Sequence, residues 1–171
     1  MIKYAVVGAG WISQEAFLPG IGQSGNSEVA AIVTGDRDKA ARLAGFHGIG
    51  RIVGYDGYDD LLRGPDVDAV YIALPNHLHA DYAIRAARAG KHVLVEKPLA
   101  TSEQDALAMI AAAREAGVFL MTAYRLHHEP GTVAALEHIR NDAIGRPLAI
   151  TVMRNGALVD VIAEPSELVA A

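Results

Sequence analysis

The segment "YAVVGAGWISQEA" (residues 4–16) runs a short apolar stretch into Gly8 and Gly10 and continues with a helix-like pattern. In phosphate-binding turns of this shape the first glycine permits a tight bend and the second lets the backbone approach an anion. The third position, here Ser13, lets the helix pack closely. Serine is small enough for that place, and a helix N-terminus offers free N–H groups and the positive end of its dipole. Two glycines alone fit a purely structural turn equally well, so the surrounding pattern has to decide.

Further apolar runs follow: "EVAAIVT" (28–34), "AVYIAL" (69–74), "HVLVE" (92–96) and "VFLMTA" (118–123). Most are continuously apolar rather than alternating, which marks strands covered on both faces. Helix-like segments separate them. "DKAARLA" (38–44) is Ala-rich, and "HADYAIRAARAG" (79–90) groups Ala83, Ala86, Ala87 and Ala89 before Gly90, read as its C-cap. "TSEQDALAMIAAAREAG" (101–117) begins with Thr101 and Gln104 in capping-box spacing, carries a stripe of Ala106, Met109, Ile110 and Ala113, and ends at Gly117. Repeated strand-helix-strand units predict an α/β, doubly wound, mostly parallel sheet of the Rossmann type over residues 1–123. This context favours a dinucleotide diphosphate at the Gly8–Gly10 turn.

Residues 124–171 change character. "YRLHHEPG" is a polar connection, followed by the helix-like "TVAALEHIR" and the strand-like "LAITVMR". Fewer than fifty residues cannot bury an independent core, so only the start of a second α/β domain is expected. Its unpaired edge would favour homo-oligomer formation.

Composition narrows the partners. Hydrophobic residues make up 51% and charged residues 20% of 171, the balance of a globular chain, and a net charge of -5 without a basic stripe argues against nucleic acid. With no cysteine, disulfides and thiolate metal sites are excluded. No apolar run reaches membrane-spanning length and a strand begins just after Met1, so a cytoplasmic protein is expected, with neither signal peptide nor membrane partner.

The second strand ends "VTGDRDKA". Thr34 stands where NAD-binding proteins place an acid for the ribose hydroxyls, with Gly35, Arg37 and Lys39 close by. A small hydroxyl beside two cations suits a 2′-phosphate, so NADP is favoured over NAD. Alternatively, Asp36 to Lys39 is the solvated first turn of a helix with Asp36 as N-cap. "ALPNHLHA" lies at a ligand-facing strand end, where Leu74 and Pro75 form an apolar wall and Asn76 caps a helix or bonds the cofactor. His77 and His79 read as capping or exposed residues; a metal site with His127 and His128 would need convergence, and none is predicted. In "AGKHVLVEKPLA" (89–100), Glu96 and Lys97 reach the same edge. A partly desolvated Lys97 beside a nicotinamide can exchange a proton with a substrate hydroxyl. Its alternative is a surface ion pair with Glu96.

Taken together, "VVGAGWIS", "VTGDRDKA", "DAVYIALPNHLHADYAIRAARAGKHVLVEKPLA" and "YRLHHEP" resemble the glucose-fructose oxidoreductase (Gfo/Idh/MocA) family, nearest its NADP-linked members, over about residues 2–153. The resemblance implies an NADP(H)-dependent oxidoreductase acting on a sugar or polyol, with Lys97 as the catalytic lysine. It implies that Gly8, Gly10, Trp11 and Ile12 lie along the diphosphate and that Thr34 and Lys39 hold the 2′-phosphate. It places Leu74, Pro75, Asn76 and His79 beside the adenine side and the nicotinamide ribose, Glu96 and Lys97 at the nicotinamide, and Arg125 near the cofactor. It also implies a cis Lys97–Pro98 peptide. The family's second domain is largely missing from the pattern, though "GALVDV" (156–161) echoes a later family segment in which Asp160 matches and Ile162 and Glu164 do not. Two rivals stay open: an NAD(P)-binding module without turnover, and an α/β interaction domain that binds no nucleotide.

Overall fold

The computed structural model describes residues 1–138, 147–154 and 157–163. Two compact units divide the chain, Met1–Ala123 and Tyr124–Ala171. Six parallel strands form the sheet of the first unit: β1 (Ile2–Val7), β2 (Ser27–Val33), β3 (Ile52–Val53), β4 (Ala69–Ile72), β5 (His92–Glu96) and β6 (Leu120–Ala123), in the order β3-β2-β1-β4-β5-β6. The order reverses between β1 and β4, and the carboxyl ends of these two strands open the crevice where such sheets take ligands.

Side chains of one strand go to opposite faces. Ala5 and Val7 face a core shared with α3 (Tyr58–Arg63), α4 (His79–Arg88) and α5 (Glu103–Ala116), whereas Val6 faces Leu18 of α1 (Leu18–Ile21) and Ala40 and Ala44 of α2 (Arg37–His47). Both faces of β1 are therefore dry, which is why its sequence reads as an unbroken apolar run. Ala83, Ala86 and Ala87 are buried under α4 and let it approach the sheet closely; Ala89, grouped with them by the sequence reading, is exposed as the C-cap. Gly90 follows it with φ 75°, a left-handed conformation that a residue without Cβ adopts freely.

The start of α5 corrects the sequence reading. Ser102, not Thr101, is its N-cap: the Ser102 hydroxyl accepts from the Asp105 N–H at 3.1 Å and donates to the Asp105 carboxylate at 2.8 Å. The cap and its acidic partner thus sit one residue later than the Thr101/Gln104 spacing, because Ser102 is the last extended residue (φ −141°, ψ 156°) before the helix. Met109, Ala112 and Ala113 form the buried stripe, with Ala106 and Ile110 at its half-buried margin. The sequence reading also passed over β3 and α3, whose two and six residues are too short to show a periodicity.

In the second unit, a short turn (Arg125–His128) precedes α6 (Pro130–His138), and β7 (Leu148–Arg154) pairs antiparallel with β8 (Ala157–Ala163). Ile139, Arg140 and Glu164 of the sequence reading lie outside the described residues. Among the described residues no helix is long and apolar enough to cross a membrane.

Candidate functional site

At the end of β1 the chain passes between its two neighbours: the Gly8 N–H donates to the Val33 carbonyl at 2.9 Å, and the Ala73 N–H donates to the Val7 carbonyl at 2.8 Å. Gly8 has φ 99°, and a Cβ placed on it would lie 2.4 Å from the Ala73 oxygen. Conformation and space both demand glycine here. Gly10 differs, since a Cβ on it would meet nothing within 4 Å. The turn at Gly8 is thus required by the sheet itself. The bare backbone at Gly10 faces open space at the head of the following helix.

That helix covers residues 11–21 and contains a π-type turn, Ser13–Phe17, ahead of α1. Ser13 takes the third glycine position, fully buried, and its hydroxyl donates to the Gly8 carbonyl at 2.6 Å. The substitution therefore ties the turn instead of only fitting it. The Gln14 amide donates to the Ala9 and Gly10 carbonyls at 2.9 and 3.2 Å, so the carbonyls of the turn are engaged from the helix side. Trp11 is 74% exposed beside the turn, and Ile12 is half-buried. A diphosphate fits these residues: the side of Gly10 that a Cβ would fill is free, and the first helical turn offers N–H groups with no intrahelical partner.

At the end of β2, Thr34 is buried and its hydroxyl accepts from the Asp36 N–H at 3.2 Å. Asp36 caps α2 by accepting from the Lys39 N–H at 2.9 Å, and its other oxygen pairs with Lys39 Nζ at 3.4 Å. The Lys39 N–H bond, supported by the lysine charge, holds the Asp36 carboxyl below its ordinary range. The helix-cap reading of this stretch is thus present in the structure, and Lys39 reaches the corner already paired. Arg37 is exposed and makes no ion pair among the described residues.

Tyr55 was missed by the sequence reading. Its ring lies 3.6 Å from where a Gly35 Cβ would stand, beside the Thr34 corner, and packs edge-on to Tyr82 with centroids 6.0 Å apart. Partial burial pushes its hydroxyl up, opposed by a hydrogen bond with Thr34. Tyr82 is itself held by the Arg85 guanidinium, 4.9 Å from its ring centre, and by the Tyr58 hydroxyl, which donates to its carbonyl at 3.1 Å. The repeated "GYDGYDD" (54–60) was the available signal, but nothing in it shows which tyrosine faces the corner.

Across the crevice, Leu74 is buried, 3.3 Å from a Cβ built on Gly8, so it braces the turn from below, whereas Pro75 and Asn76 are exposed. His79 corrects the sequence reading. It is neither exposed nor an open wall of a ribose pocket: its ring is fully buried, with Nδ1 2.8 Å from the Pro98 carbonyl and Nε2 2.9 Å from the Leu74 carbonyl. Both ring nitrogens thus lie against carbonyl oxygens, and the tautomer sets which of them donates. No ring nitrogen is left for a ligand. Among the described residues no three His, Asp or Glu gather as a metal site.

Glu96 ends β5 half-buried. Its Oε1 accepts from the Tyr71 hydroxyl at 2.7 Å and its Oε2 from the Lys97 N–H at 3.3 Å. Tyr71 stacks on Phe17 with centroids 3.7 Å apart and planes 3° from parallel. Burial, then the contact with the Glu96 carboxylate, pushes the Tyr71 hydroxyl far above its ordinary range. The Lys97 side chain is exposed and forms no ion pair with Glu96, and the Lys97–Pro98 peptide is cis. Arg125 belongs to the second unit, where it opens the turn before α6.

A family model for an oxidoreductase family with an NAD-binding Rossmann fold, Gfo/Idh/MocA, matches residues 2–124. The chain belongs to the Gfo/Idh/MocA oxidoreductase family. Among its members, a 1,5-anhydro-D-fructose reductase from Ensifer adhaerens is 40% identical over 152 residues, covering 89% of this chain and 45% of that protein. The solved aldose-aldose oxidoreductase from Caulobacter crescentus, complexed with glycerol, superposes with a TM-score of 0.79 at 37% identity, over 85% of this chain and 44% of that one. A 3-ketoreductase from Actinomadura kijaniata, solved with NADP and TDP-benzene, gives a TM-score of 0.77 at 38% identity, over 85% and 44%. The chain thus spans about half the length of the Gfo/Idh/MocA relatives it matches.

Proposed function

We propose that this chain binds NADP(H) at the β1–β4 crevice and forms the nucleotide half of an oxidoreductase acting on a sugar or sugar-like hydroxyl or carbonyl. The observation that carries the reading is the contrast between the two glycines: Gly8 is required by the sheet, whereas Gly10 keeps a free side beside a helix N-terminus. Gly10, Trp11 and Ile12 would lie along the diphosphate. Thr34, Gly35, Arg37 and Lys39, with Tyr55 as a wall, would take the 2′-phosphate and adenosine. NADP-bound and sugar-acting family members support this choice of ligand.

The nicotinamide, when bound, supplies the hydride donor or acceptor. Pro75, Asn76 and Glu96 orient that end of the crevice. Lys97 Nζ, free of an ion pair with Glu96, gives a proton to or takes one from the substrate oxygen, which is general acid–base chemistry with the lysine held in place by its neighbours.

Calorimetric titration with NADPH and NADH, followed by an assay of sugar-dependent nucleotide oxidation and reduction, tests the reading. NADPH binding tighter than NADH binding supports it, and binding of neither refutes it. A second reading, nucleotide binding without turnover, draws on the family match, which is to an NAD-binding Rossmann fold at residues 2–124. NADPH binding with no sugar-dependent reaction would favour it.

A further inference from the structure

Lys97 stands between two anchored neighbours. On the face of the sheet shared with α1 and α2, Tyr71 holds the Glu96 carboxylate. On the face shared with α3, α4 and α5, His79 holds the Pro98 carbonyl at 2.8 Å. The same imidazole holds the Leu74 carbonyl at 2.9 Å, immediately ahead of Pro75 and Asn76. His79 therefore bridges the two chain ends that border the nicotinamide side of the crevice, and it does so fully buried, with no access to solvent or ligand. The adenosine corner at Thr34 and Lys39 is built on β2 and α2 and owes nothing to it.

We propose that His79 is a positioning residue: its ring fixes the spacing between the Leu74–Asn76 end of β4 and the Lys97–Pro98 end of β5, and so sets where the nicotinamide half of the nucleotide and Lys97 meet. The proposal rests on the NADP(H) reading above. Leu at this position retains an apolar volume near that of imidazole but takes both ring nitrogens away from the Leu74 and Pro98 carbonyls, a loss that a low-dielectric interior penalises. The amide of Gln carries N–H bonds and restores part of the bridge.

The test uses the full chain and two ligands, NADPH and adenosine 2′,5′-bisphosphate, which lacks the nicotinamide half. In His79→Leu, adenosine 2′,5′-bisphosphate affinity stays at the wild-type value while NADPH binds about tenfold more weakly, the equivalent of one lost polar contact. His79→Gln recovers part of the difference. In the wild type, the ring nitrogen resonances of His79 shift on adding NADPH and stay put on adding adenosine 2′,5′-bisphosphate, a readout that needs no variant to fold. Unchanged NADPH affinity in folded His79→Leu, equal weakening toward both ligands in folded His79→Gln, or ring resonances indifferent to NADPH would each overturn the proposal. A wild type that binds neither ligand would overturn the NADP(H) reading itself, and this proposal with it.

Discussion

Tyr71 donates its hydroxyl to Glu96 at 2.7 Å while its ring lies flat on Phe17, so a residue of the first helix fixes a carboxylate at the end of β5. In Tyr71→Phe the stack survives and the hydrogen bond does not. We expect a loss of about 1–2 kcal/mol of stability in urea titration, since a bond to a charged acceptor is among the stronger ones. Glu96 then becomes free to pair with Lys97, and in a form of the protein that turns over, kcat falls more than NADPH affinity. Unchanged stability would show that the bond contributes nothing net.

The two buried tyrosines make alkaline pH a probe of the core. Burial raises the hydroxyls of Tyr58 and Tyr71 in the fold above the ordinary tyrosine value of about 10. Above that value the unfolded chain releases protons that the folded chain keeps. Stability is whole below about pH 10 and falls as pH rises past it. The urea midpoint should drop across this range in the wild type, and the drop should shrink in Tyr58→Phe and in Tyr71→Phe.

Gly8→Ala and Gly10→Ala separate folding from binding. A Cβ on Gly8 would sit 2.4 Å from a backbone oxygen at φ 99°, and we expect a loss of about 2–4 kcal/mol in thermal or urea unfolding. A Cβ on Gly10 meets nothing, so the melting temperature holds while NADPH affinity falls about tenfold or more. Unaltered NADPH binding by folded Gly10→Ala would move the diphosphate elsewhere.

Asp36→Ser keeps an N-cap oxygen for α2 and removes the carboxylate from Lys39. With Lys39 released, NADPH should bind about threefold to tenfold more tightly at low salt while NADH is unaffected, and the gain should shrink at high salt. In the wild type the depressed Asp36 pKa gives a contribution present above its ordinary value of 3.8 and lost as pH falls through the folded-state value. That acid-side loss should be absent from the serine variant.

Much of the sheet was legible because strands covered on both faces carry unbroken apolar runs: β1, β2, β4 and β5 announce themselves this way, whereas the edge strand β6 is apolar in sequence with Met121 exposed. The glycine turn was legible for the same reason, as a sharp break in such a run. What stayed hidden depends on third dimension and length. Two-residue β3 and six-residue α3 have no period to detect, and with them went Tyr55. His79 read as a capping or exposed residue, or through the resemblance as bordering the cofactor, yet the groups its nitrogens meet, those of Leu74 and Pro98, are backbone carbonyls from different loops and leave no mark in residue type. Asp36 and Lys39 supported two readings because a helix cap and a phosphate corner call for the same residues at the same spacing.

The widened π turn at Ser13–Phe17 holds one residue more than an α turn would. An extra residue inserted there, beyond the one the wide turn already absorbs, would swing Phe17 by about 100° around the axis, away from Tyr71. Glu96, far downstream in the chain, would be left bonded to a tyrosine that had lost its stacking partner, without any change to its own sequence neighbourhood. Insertions in the first helix therefore reach the far strand end through a ring stack rather than through the strand's own neighbours.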